Sequence, residues 1–308
     1  MSHSPLGRTL VIANPVARSG HGRRAAEFAR NFLDSYAAST DGFEVRLTGR
    51  AGEATSMAAR SAGFDTVLAL GGDGVIHEVV CGLMSRPRGE RPQLGIIPMG
   101  SGNDYARTLG MARNDVEGAL AQLVRGRVRP CEVGRVNDTY FVQTLSFGLD
   151  AAIGLDTMRR RHETRQQGEG LFVPSGVKIM SAAGEGWPCV ATFDDTEVRQ
   201  LDDLIFAVQV GPSYGGGFRI CPDADPCDGL LDVCYNVRRP STPKTLALFA
   251  MARTGRHVGS KAVELRRVHR LELDFETEPP CQMDGEPLCA THFEVEVVPG
   301  ALDVVFPA

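Results

Sequence analysis

Residues 66–84 read TVLALGGDGVIHEVVCGLM, and this stretch decides the fold. The apolar run Thr66–Leu70 is typical of a buried strand, and Val75–Met84 returns to the spacing of a helix. Only the four residues Gly71-Gly72-Asp73-Gly74 separate the two. A strand joined so directly to a helix is typical of an α/β sheet, so the sequence predicts that class for this region.

The same alternation extends on both sides of this stretch. Three more apolar strands are predicted, at Thr9–Ala13, Phe43–Leu47 and Leu94–Ile97. Helices are predicted after the first two, at Arg23–Tyr36 and Glu53–Ala62. The first helix would carry Phe28, Phe32 and Tyr36 on one face. Because strands alternate with helices, we expect an open, mostly parallel sheet with ligands at the carboxyl ends of its strands.

The alternation of predicted strands and helices ends near residues 127–130. Glu132–Val136 and Tyr140–Leu145 predict a hairpin around Asn137-Asp138. Further strands are predicted at Val190–Phe193, Leu204–Val210, Leu230–Val237, Leu271–Phe275 and Phe293–Val298, and helices near Asp150–Arg161, Gly176–Gly184 and Pro243–Arg253. We therefore predict an α/β domain over residues 1–128 and a β-rich, sandwich-like domain over 129–308, whose last strand could return to the first domain.

The composition narrows the class of protein. The 308 residues carry a net charge of −5, which argues against a basic nucleic-acid binder. The eight Cys lack the spacing of zinc ligands, and no signal peptide is evident, so we expect a reducing cytoplasm. Stretches such as Leu204–Val210 and Leu246–Met251 are too short to cross a membrane.

Three glycine-rich turns are candidate phosphate-binding sites. They are Asn14-Pro15 with Ser19-Gly20-His21-Gly22, then Gly71–Gly74, then Gly100–Asn103. Glycine at a helix start lets backbone N–H groups approach a phosphate without a Cβ in the way. A carboxylate beside phosphate requires a cation, so Asp73 indicates magnesium, although Asp is also a favoured helix cap. The ordinary P-loop and dinucleotide fingerprints are absent.

Four motifs in order resemble one family. They are the Asn14-Pro15…Ser19-Gly20 turn, the Gly71–Gly74 turn, PMGSGNDYAR at residues 98–107 and Met283-Asp284-Gly285-Glu286. Together they resemble the diacylglycerol kinase catalytic-domain family, which includes bacterial diacylglycerol and multi-substrate lipid kinases and the sphingosine and ceramide kinases. The family shares its fold with the NAD kinases.

The resemblance implies a role for each matching residue. The nucleotide, ATP, would contact Asn14, Pro15, Ser19, Gly20, Thr48, Gly71, Gly72, Asp73, Gly74, Val75, Glu78, Gly100, Ser101, Gly102 and Asn103. Catalytic Mg²⁺ would be held by an acidic network of Asp73, Asp104 and Glu132. Glu286 resembles the general base that takes the proton of the acceptor hydroxyl. Asp284 would orient the base or the metal.

A second metal site is implied at Asp225-Pro226-Cys227-Asp228-Gly229-Leu230. Bacterial family members hold a structural magnesium there, which by position would use the Asp225 carbonyl, the Asp228 carboxylate and the Leu230 carbonyl. An Asp-Gly turn before a strand explains the same residues without a metal.

Three residues depart from the family pattern. Val75 stands where Thr is usual, His77 where Asn is frequent, and Glu132 where a strand often begins with Asp. These changes affect the detail of the nucleotide contacts and leave the implied reaction class in place.

Basic residues are concentrated in one part of the second domain. Residues 238–270 contain nine Lys or Arg and one Glu, and Arg159-Arg160-Arg161-His162 forms another basic cluster. Such a surface would attract anionic lipid headgroups, although a solvated surface explains the same pattern. The apolar run Thr245–Ala252 could contact a membrane or pack on the sheet.

The functional prediction is an ATP- and magnesium-dependent lipid kinase that acts in the cytoplasm at the inner face of an anionic membrane. Diacylglycerol is the first choice of acceptor, giving phosphatidic acid, and a sphingoid base or another lipid alcohol is the next. Two alternatives remain open: a soluble-substrate kinase of the NAD kinase type, and a non-enzymatic sensor on a kinase scaffold. No nucleic-acid partner is expected, and a homodimer is the commonest state for such enzymes.

Overall fold

The computed structural model describes residues 4–36, 41–164 and 186–308. The chain forms two compact units: unit 1 comprises residues 1–132 and 299–308, and unit 2 comprises residues 133–298. The predicted boundary after residue 128 lies a few residues before this division. The predicted helix Gly176–Gly184 lies outside the described residues.

Unit 1 is built from alternating strands and helices. Its strands are β1 (Thr9–Ala13), β2 (Phe43–Leu47), β3 (Thr66–Gly71) and β4 (Gln93–Pro98). Its helices are α1 (Ala17–Gly20), α2 (Gly22–Ser35), α3 (Glu53–Ala59), α4 (Asp73–Met84), α5 (Asp104–Leu109) and α6 (Val116–Leu123), with a 3-10 turn at Arg88–Glu90. The strands lie in the order β2-β1-β3-β4, and every pair is parallel. The predicted α/β class is confirmed.

Two strands belong to both units because the chain passes between the units twice. They are β5 (Arg127–Val136) and β16 (His292–Phe306). Within unit 1, Val304 of β16 pairs in parallel with Leu94 of β4. The Arg91 side chain donates a hydrogen bond to the Ala301 carbonyl at 2.8 Å, and the Arg129 guanidinium lies 4.9 Å from the centre of the Phe306 ring. Residues 299–308 are therefore part of the unit 1 core.

The aromatic face of α2 is on the outside. The rings of Phe28, Phe32 and Tyr36 do contact one another in sequence, at centroid distances of 6.4 and 4.7 Å. Phe28 and Tyr36 nevertheless remain 40% and 38% exposed. The buried side of the helix is made of small residues and one leucine, Gly22, Ala25, Ala26, Ala29 and Leu33. Small side chains let the helix approach the sheet closely, which aromatic rings would prevent.

Unit 2 consists of antiparallel strands in two sheets. One has the order β12-β11-β10-β7-β14-β15 and the other β9-β8-β13-β16, which β5 and β6 extend. The strands not yet given are β6 (Thr139–Phe141), β7 (Thr144–Gly148), β8 (Trp187–Phe193), β9 (Glu197–Asp203), β10 (Ile205–Gln209), β11 (Leu231–Asn236), β12 (Val263–Val268), β13 (Arg270–Phe275), β14 (Cys281–Met283) and β15 (Glu286–Pro287). The helices are α7 (Leu149–Thr164) and α8 (Thr242–Ala252), with a 3-10 turn at Arg256–Gly259. The predicted sandwich-like class is confirmed.

One prediction for unit 2 is wrong. Tyr140–Leu145 is not a single strand, because β6 pairs with β5 in one sheet whereas β7 pairs with β10 and β14 in the other. The chain changes sheets at residues 142–144, where all three backbone N–H groups donate to the carboxylate of Asp284. This distant side chain replaces the strand partner that a continuous hairpin would have supplied.

Aromatic side chains from both sheets form the core of unit 2. The Phe147 ring on β7 lies 6.1 Å from Phe206, 5.4 Å from Phe275 and 4.8 Å from Phe293, measured between centroids. Phe147 and Phe206 come from one sheet, and Phe275 and Phe293 come from the other. The two sheets therefore pack face to face through these rings. No helix among the described residues is both long and apolar enough to span a bilayer.

Replacing Phe147 by Ala should lower the free energy of unfolding of unit 2 by about 3–5 kcal/mol, because it leaves a cavity between the sheets. Trp187 is the only tryptophan and packs against this core, so its fluorescence during urea denaturation reports on unit 2. The matched control is Phe28→Ala on the exposed face of α2, which should cost less than about 1 kcal/mol. Equal losses in both variants would contradict the assignment of Phe147 to the core.

Candidate active site

The residues predicted to contact ATP follow the four adjacent strands of the parallel sheet. Asn14 follows β1, Thr48 follows β2, Gly72 follows β3 and Gly100 lies just beyond β4. Parallel strands have their carboxyl ends on the same side of the sheet. These residues therefore all lie at the carboxyl ends of the strands of unit 1. The sequence alone predicted this placement, whereas the contacts among the residues come from the structure.

The second and third glycine turns are in direct contact. The Met99 N–H donates to the Gly71 carbonyl at 2.6 Å, which continues the pairing of β3 and β4 into the turns. A Cβ on Gly100 would lie 2.6 Å from the Cα of Gly72, and one on Gly72 would lie 3.2 Å from the Cα of Gly100. Close approach of two backbones, not an unusual φ, therefore excludes a side chain at Gly100 and leaves little space for one at Gly72.

The carboxylate of Asp73 joins these two turns. Its Oδ2 accepts the Asn103 N–H at 2.8 Å and its Oδ1 accepts the Asp104 N–H at 2.7 Å. Both donors lie at the start of α5. Asp73 itself is the first residue of α4, which has Gly72 as its N-cap and no side-chain cap. Asp73 therefore caps a helix, as the alternative interpretation expected. The capped helix is α5, however, and not α4, which begins at Asp73 itself.

The same carboxylate lies beside a second acidic side chain. A Cβ on Gly102 would lie 2.8 Å from Asp73 Oδ2 and 3.1 Å from Asp104 Oδ2, so the Gly102 backbone lies against both carboxylates and leaves no room for a side chain. Arg107 also contacts this group, with its Nε 3.3 Å from the Gly102 carbonyl and 3.8 Å from Asp104 Oδ1. Carboxylate oxygens are ligands that Mg²⁺ prefers, so the chemistry of Asp73 and Asp104 fits the implied metal, and the metal itself stays a prediction.

The first glycine-rich turn, which follows β1, is held by contacts among its own residues. Asn14 Oδ1 accepts the Val16 N–H at 3.0 Å, which forms an Asx-turn after β1. The helix α2 then starts directly against this turn, because a Cβ on Gly22 would lie only 2.0 Å from the Asn14 carbonyl oxygen. Gly20 has φ +90, a conformation that favours glycine. The side chain of Ser19 lies outside the described part of the structure, and the nucleotide contacts of Asn14, Pro15 and Gly20 stay predictions.

Glu78 has a structural partner. Its Oε1 accepts the Gly52 N–H at 2.9 Å and its Oε2 accepts the Ala54 N–H at 3.1 Å, so it holds the start of α3 against α4. Its contact with ATP stays a prediction. The two departures on α4 are buried: Val75 packs on Gly71, and the His77 Nε2 lies 3.6 Å from the Cys81 sulfur. Neither places a new polar group at the edge of the sheet.

The predicted base lies at a tight turn in unit 2. Glu286 is exposed and opens β15, directly after Asp284 and Gly285, whose φ angles are +50 and +97. The Asp284 carboxylate accepts the backbone N–H groups of residues 142–144 at 2.8, 3.0 and 2.9 Å. Asp284 therefore anchors the turn, and its implied role of orienting the base or the metal stays a prediction. The roles of both residues in catalysis stay predictions.

The structure also describes two further predicted metal positions. Glu132 is buried in β5 at 1% exposure. Asp228 lies in an exposed turn, where its Oδ1 accepts the Leu230 N–H at 3.1 Å and its Oδ2 is 3.8 Å from the Arg267 guanidinium. Since Arg267 already supplies positive charge here, the structure favours the ion-paired turn, and the magnesium at Asp225, Asp228 and Leu230 stays a prediction.

Sequence reasoning missed several buried polar side chains in unit 2. Asp150, Gln282 and Ser146 are 7%, 4% and 0% exposed, and Tyr214 donates a hydrogen bond to the Asp150 carboxylate. Burial raises the pKa of Asp150 to about 7, and the hydrogen bond from Tyr214 opposes this shift. A polar residue inside an apolar strand, as in Cys281-Gln282-Met283, was the available signal.

Gly102→Ala should weaken binding of magnesium and of the magnesium–nucleotide complex by at least about tenfold, because the methyl group would push the two carboxylates out of place. Isothermal titration of the protein with Mg²⁺, and with nucleotide in the presence of Mg²⁺, measures both. The control is Gly89→Ala, where a Cβ meets no atom within 4 Å. Unchanged magnesium binding in the Gly102 variant would argue against a cation held by Asp73 and Asp104.

Comparisons with known proteins identify the family of this chain. The sequence matches the diacylglycerol kinase catalytic domain over residues 8–136 and the YegS C-terminal NAD kinase beta sandwich-like domain over residues 144–306. It is 28% identical to "Diacylglycerol kinase" of Bacillus subtilis, over 91% of this chain and 89% of that protein. It is 30% identical to "Probable lipid kinase YegS-like" of Cronobacter sakazakii, over 86% of each chain.

A solved structure supports the fold. The crystal structure of a diacylglycerol kinase from Bacillus anthracis superposes with a TM-score of 0.79 at 21% identity, covering 99% of this chain and 98% of that chain. With both family domains matched in order along the sequence, this chain belongs to the diacylglycerol kinase and YegS-like lipid kinase family.

Proposed function

We propose that this protein transfers the γ-phosphoryl group of ATP to the hydroxyl of a lipid alcohol, with magnesium as the required cation and diacylglycerol as the acceptor. The observation that carries the proposal is the double contact of Asp73. One carboxylate holds two glycine turns together and, with the neighbouring Asp104, offers oxygen ligands to a cation. The names of the relatives support a lipid acceptor.

The residues of unit 1 account for binding and neutralising a triphosphate. The second and third glycine turns lie at the carboxyl ends of β3 and β4, and α4 begins at the second turn with its partial positive charge directed there. Magnesium would neutralise developing negative charge on the phosphates when held by Asp73 and Asp104. Arg107 keeps the carboxylate of Asp104 in place from the opposite side.

Glu286 supplies the remaining chemistry in this proposal. An alcohol does not lose its proton at neutral pH before the reaction, so a carboxylate must accept that proton as the new bond to phosphorus forms. Glu286 is exposed to an incoming hydroxyl, and the turn before it is fixed by Asp284. An exposed carboxylate on a rigid turn is suited to this task.

Glu286→Gln should bind ATP as the parent does and lose at least ~10² in rate, because the amide cannot accept the proton. Transfer of labelled phosphate from ATP to a panel of lipids in mixed vesicles measures the rate, with and without Mg²⁺. The control is Glu276→Gln, another exposed glutamate of unit 2, which should leave the rate unchanged.

The same panel separates the acceptor alternatives. Transfer to diacylglycerol supports the proposal. Preferential transfer to a sphingoid base would show that the protein is a lipid kinase with a different acceptor. Phosphorylation of free NAD without lipid would identify an NAD kinase type of activity. ATP binding without transfer to any acceptor would identify a sensor. A Glu286→Gln variant that turns over like the parent would show that another group takes the proton.

The proposal includes contact with an anionic bilayer through α8. Leu246 and Met251 on this helix are 46% and 36% exposed, and Val258 just beyond it is 39% exposed. Lys244, Arg256 and Lys261 are exposed basic residues in the same segment of the chain. In contrast, Arg266 and Arg267 of the basic segment bind acidic side chains of the protein itself. Exposed apolar and basic side chains in one segment suit an anionic lipid surface.

The double variant Leu246→Ser, Met251→Ser should bind vesicles with anionic lipid about tenfold more weakly than the parent, because it removes the apolar part of this surface. Sedimentation with vesicles measures binding, and added salt should weaken binding of the parent. Val198→Ser is the control, since Val198 is 62% exposed on β9. Equal weakening in the control, or none in the double variant, would contradict the proposed surface.

A further inference from the structure

One imidazole and three carboxylates gather on the outer face of a sheet of unit 2. On β13, Glu272 and Asp274 alternate with buried leucines, so both acids leave the face of the sheet that is turned away from the core. On β16, His292 and Glu294 alternate with buried apolar residues in the same way. We call these four residues the outer cluster.

The register of the two strands brings the side chains of the outer cluster together. Asp274 lies directly opposite His292, and Glu272 lies directly opposite Glu294. The His292 Nδ1 lies 2.7 Å from Asp274 Oδ1, and the His292 Nε2 lies 3.9 Å from Glu294 Oε1. One side-chain ligand atom each from Glu272, Asp274 and His292 lies within 4.8 Å of the other two. Three candidate metal ligands from two adjacent strands therefore converge.

The backbone beneath the cluster is held on both sides. On one side β16 pairs with β13. On the other side the Asn137 Nδ2 donates to the His292 carbonyl at 3.2 Å, and the Asn137 Oδ1 accepts the Glu294 N–H at 2.8 Å. The ligands of a tetrahedral zinc ion are about 3.3 Å apart, given metal–ligand bonds of about 2.0–2.1 Å. Side-chain rotation alone can bring the three ligand atoms to that spacing.

The negative charge of the outer cluster has only His292 to balance it. Glu272 faces Glu294 across the strands, and like charges directly opposite one another destabilise a sheet. Within the described part of the chain, Asp274 and Glu294 contact no basic side chain except that histidine. On the far side of β13, the residues opposite the two acids are uncharged, Thr192 and Val190.

The next acid along β16 is treated differently. Glu296 forms an ion pair with Arg135 at 2.8 Å and also lies opposite Arg270 on β13. Arg270 in turn lies 3.6 Å from a carboxylate oxygen of Asp195. Arginine therefore balances the acids one residue pair away from the outer cluster, whereas the cluster itself leaves its charge to a cation from solution.

We propose that Glu272, Asp274 and His292 bind a zinc ion, with a water molecule as the fourth ligand and the Glu294 carboxylate adding negative charge beside it. An imidazole nitrogen combined with carboxylate oxygens suits zinc, whereas magnesium prefers oxygen ligands alone. The bound ion would join β13 to β16 and stabilise the folded state of unit 2. This site uses none of the residues assigned to the kinase reaction and does not depend on that activity.

Isothermal titration of the tag-free protein with Zn²⁺ tests the site, in buffer with excess Mg²⁺ to saturate sites made of oxygen alone. We expect one ion per chain with a Kd of about 10 μM or tighter, and His292→Ala should weaken binding at least about 30-fold because it removes the nitrogen ligand. The matched control is His269→Ala, which removes another exposed imidazole just before β13 and should keep the parent Kd. Absence of such binding in the parent, or equal weakening in both variants, would overturn the proposal.

Cobalt distinguishes the outer cluster from the cysteines, of which Cys289 is exposed. Thiolate ligands give bound Co²⁺ an intense sulfur-to-metal absorption in the near ultraviolet, and nitrogen and oxygen ligands do not. We expect visible bands of tetrahedral Co²⁺ without the sulfur absorption, and both should be absent in His292→Ala. Sulfur absorption in the parent would place the ion on a thiol and reject the site.

Thermal unfolding followed by Trp187 fluorescence provides a third readout, because this residue packs against the core of unit 2. Zinc at about 100 times its Kd should raise the midpoint by about 5 °C in the parent and in His269→Ala. Asp274→Asn keeps the shape of the side chain but removes its charge, so its midpoint should rise by less than about 1 °C. An unchanged midpoint in the parent, or an equal rise in all three proteins, would contradict a zinc ion that joins β13 to β16.

Discussion

The site in unit 1 depends on one carboxylate that bonds to two backbone amides across two loops. Asp73 joins the turn after β3 to the turn after β4, and through them it joins the starts of α4 and α5. The backbones approach so closely there that a side chain is excluded at Gly100 and has little space at Gly72. Because the bonds are charge-assisted and partly buried, they are stronger than ordinary backbone bonds. Asp73 therefore both caps α5 and holds the two turns together.

The sequence was sufficient for unit 1 because local signals and the global fold agree there. Short apolar strands such as Thr66–Leu70 end in glycine turns, and their order predicts a parallel sheet with a common ligand edge. Side-chain partners could not be predicted. The bonds of Glu78 to the start of α3 and of Asp73 to the start of α5 join residues more than twenty positions apart. The inward direction of the small residues of α2 was also not evident from the positions of its aromatic rings.

Unit 2 was predicted less well because its strands are stabilised by distant partners. The strands β9 and β12 are rich in charged residues, yet Arg266 on β12 binds Glu197 on β9 and packs over the Phe193 ring. The break between β6 and β7 depends on Asp284, which follows about 140 residues later. Buried polar groups such as Asp150 and Gln282 could not be recognised either, since the sequence does not show which polar residues lose contact with water.

The crossing of β16 from unit 2 into unit 1 has a consequence for biosynthesis. The ribosome makes residues 299–308 only after the whole of unit 2, yet Val304 completes the sheet of unit 1 and Ala301 and Phe306 pack against its arginines. Unit 1 must therefore remain incomplete while unit 2 emerges, with the edge of β4 unpaired in the meantime. The nascent chain therefore exposes an unpaired strand edge, which can pair with other chains, for many seconds. In that interval, chaperones or the folding of unit 2 must prevent wrong pairing until β16 can pair with β4.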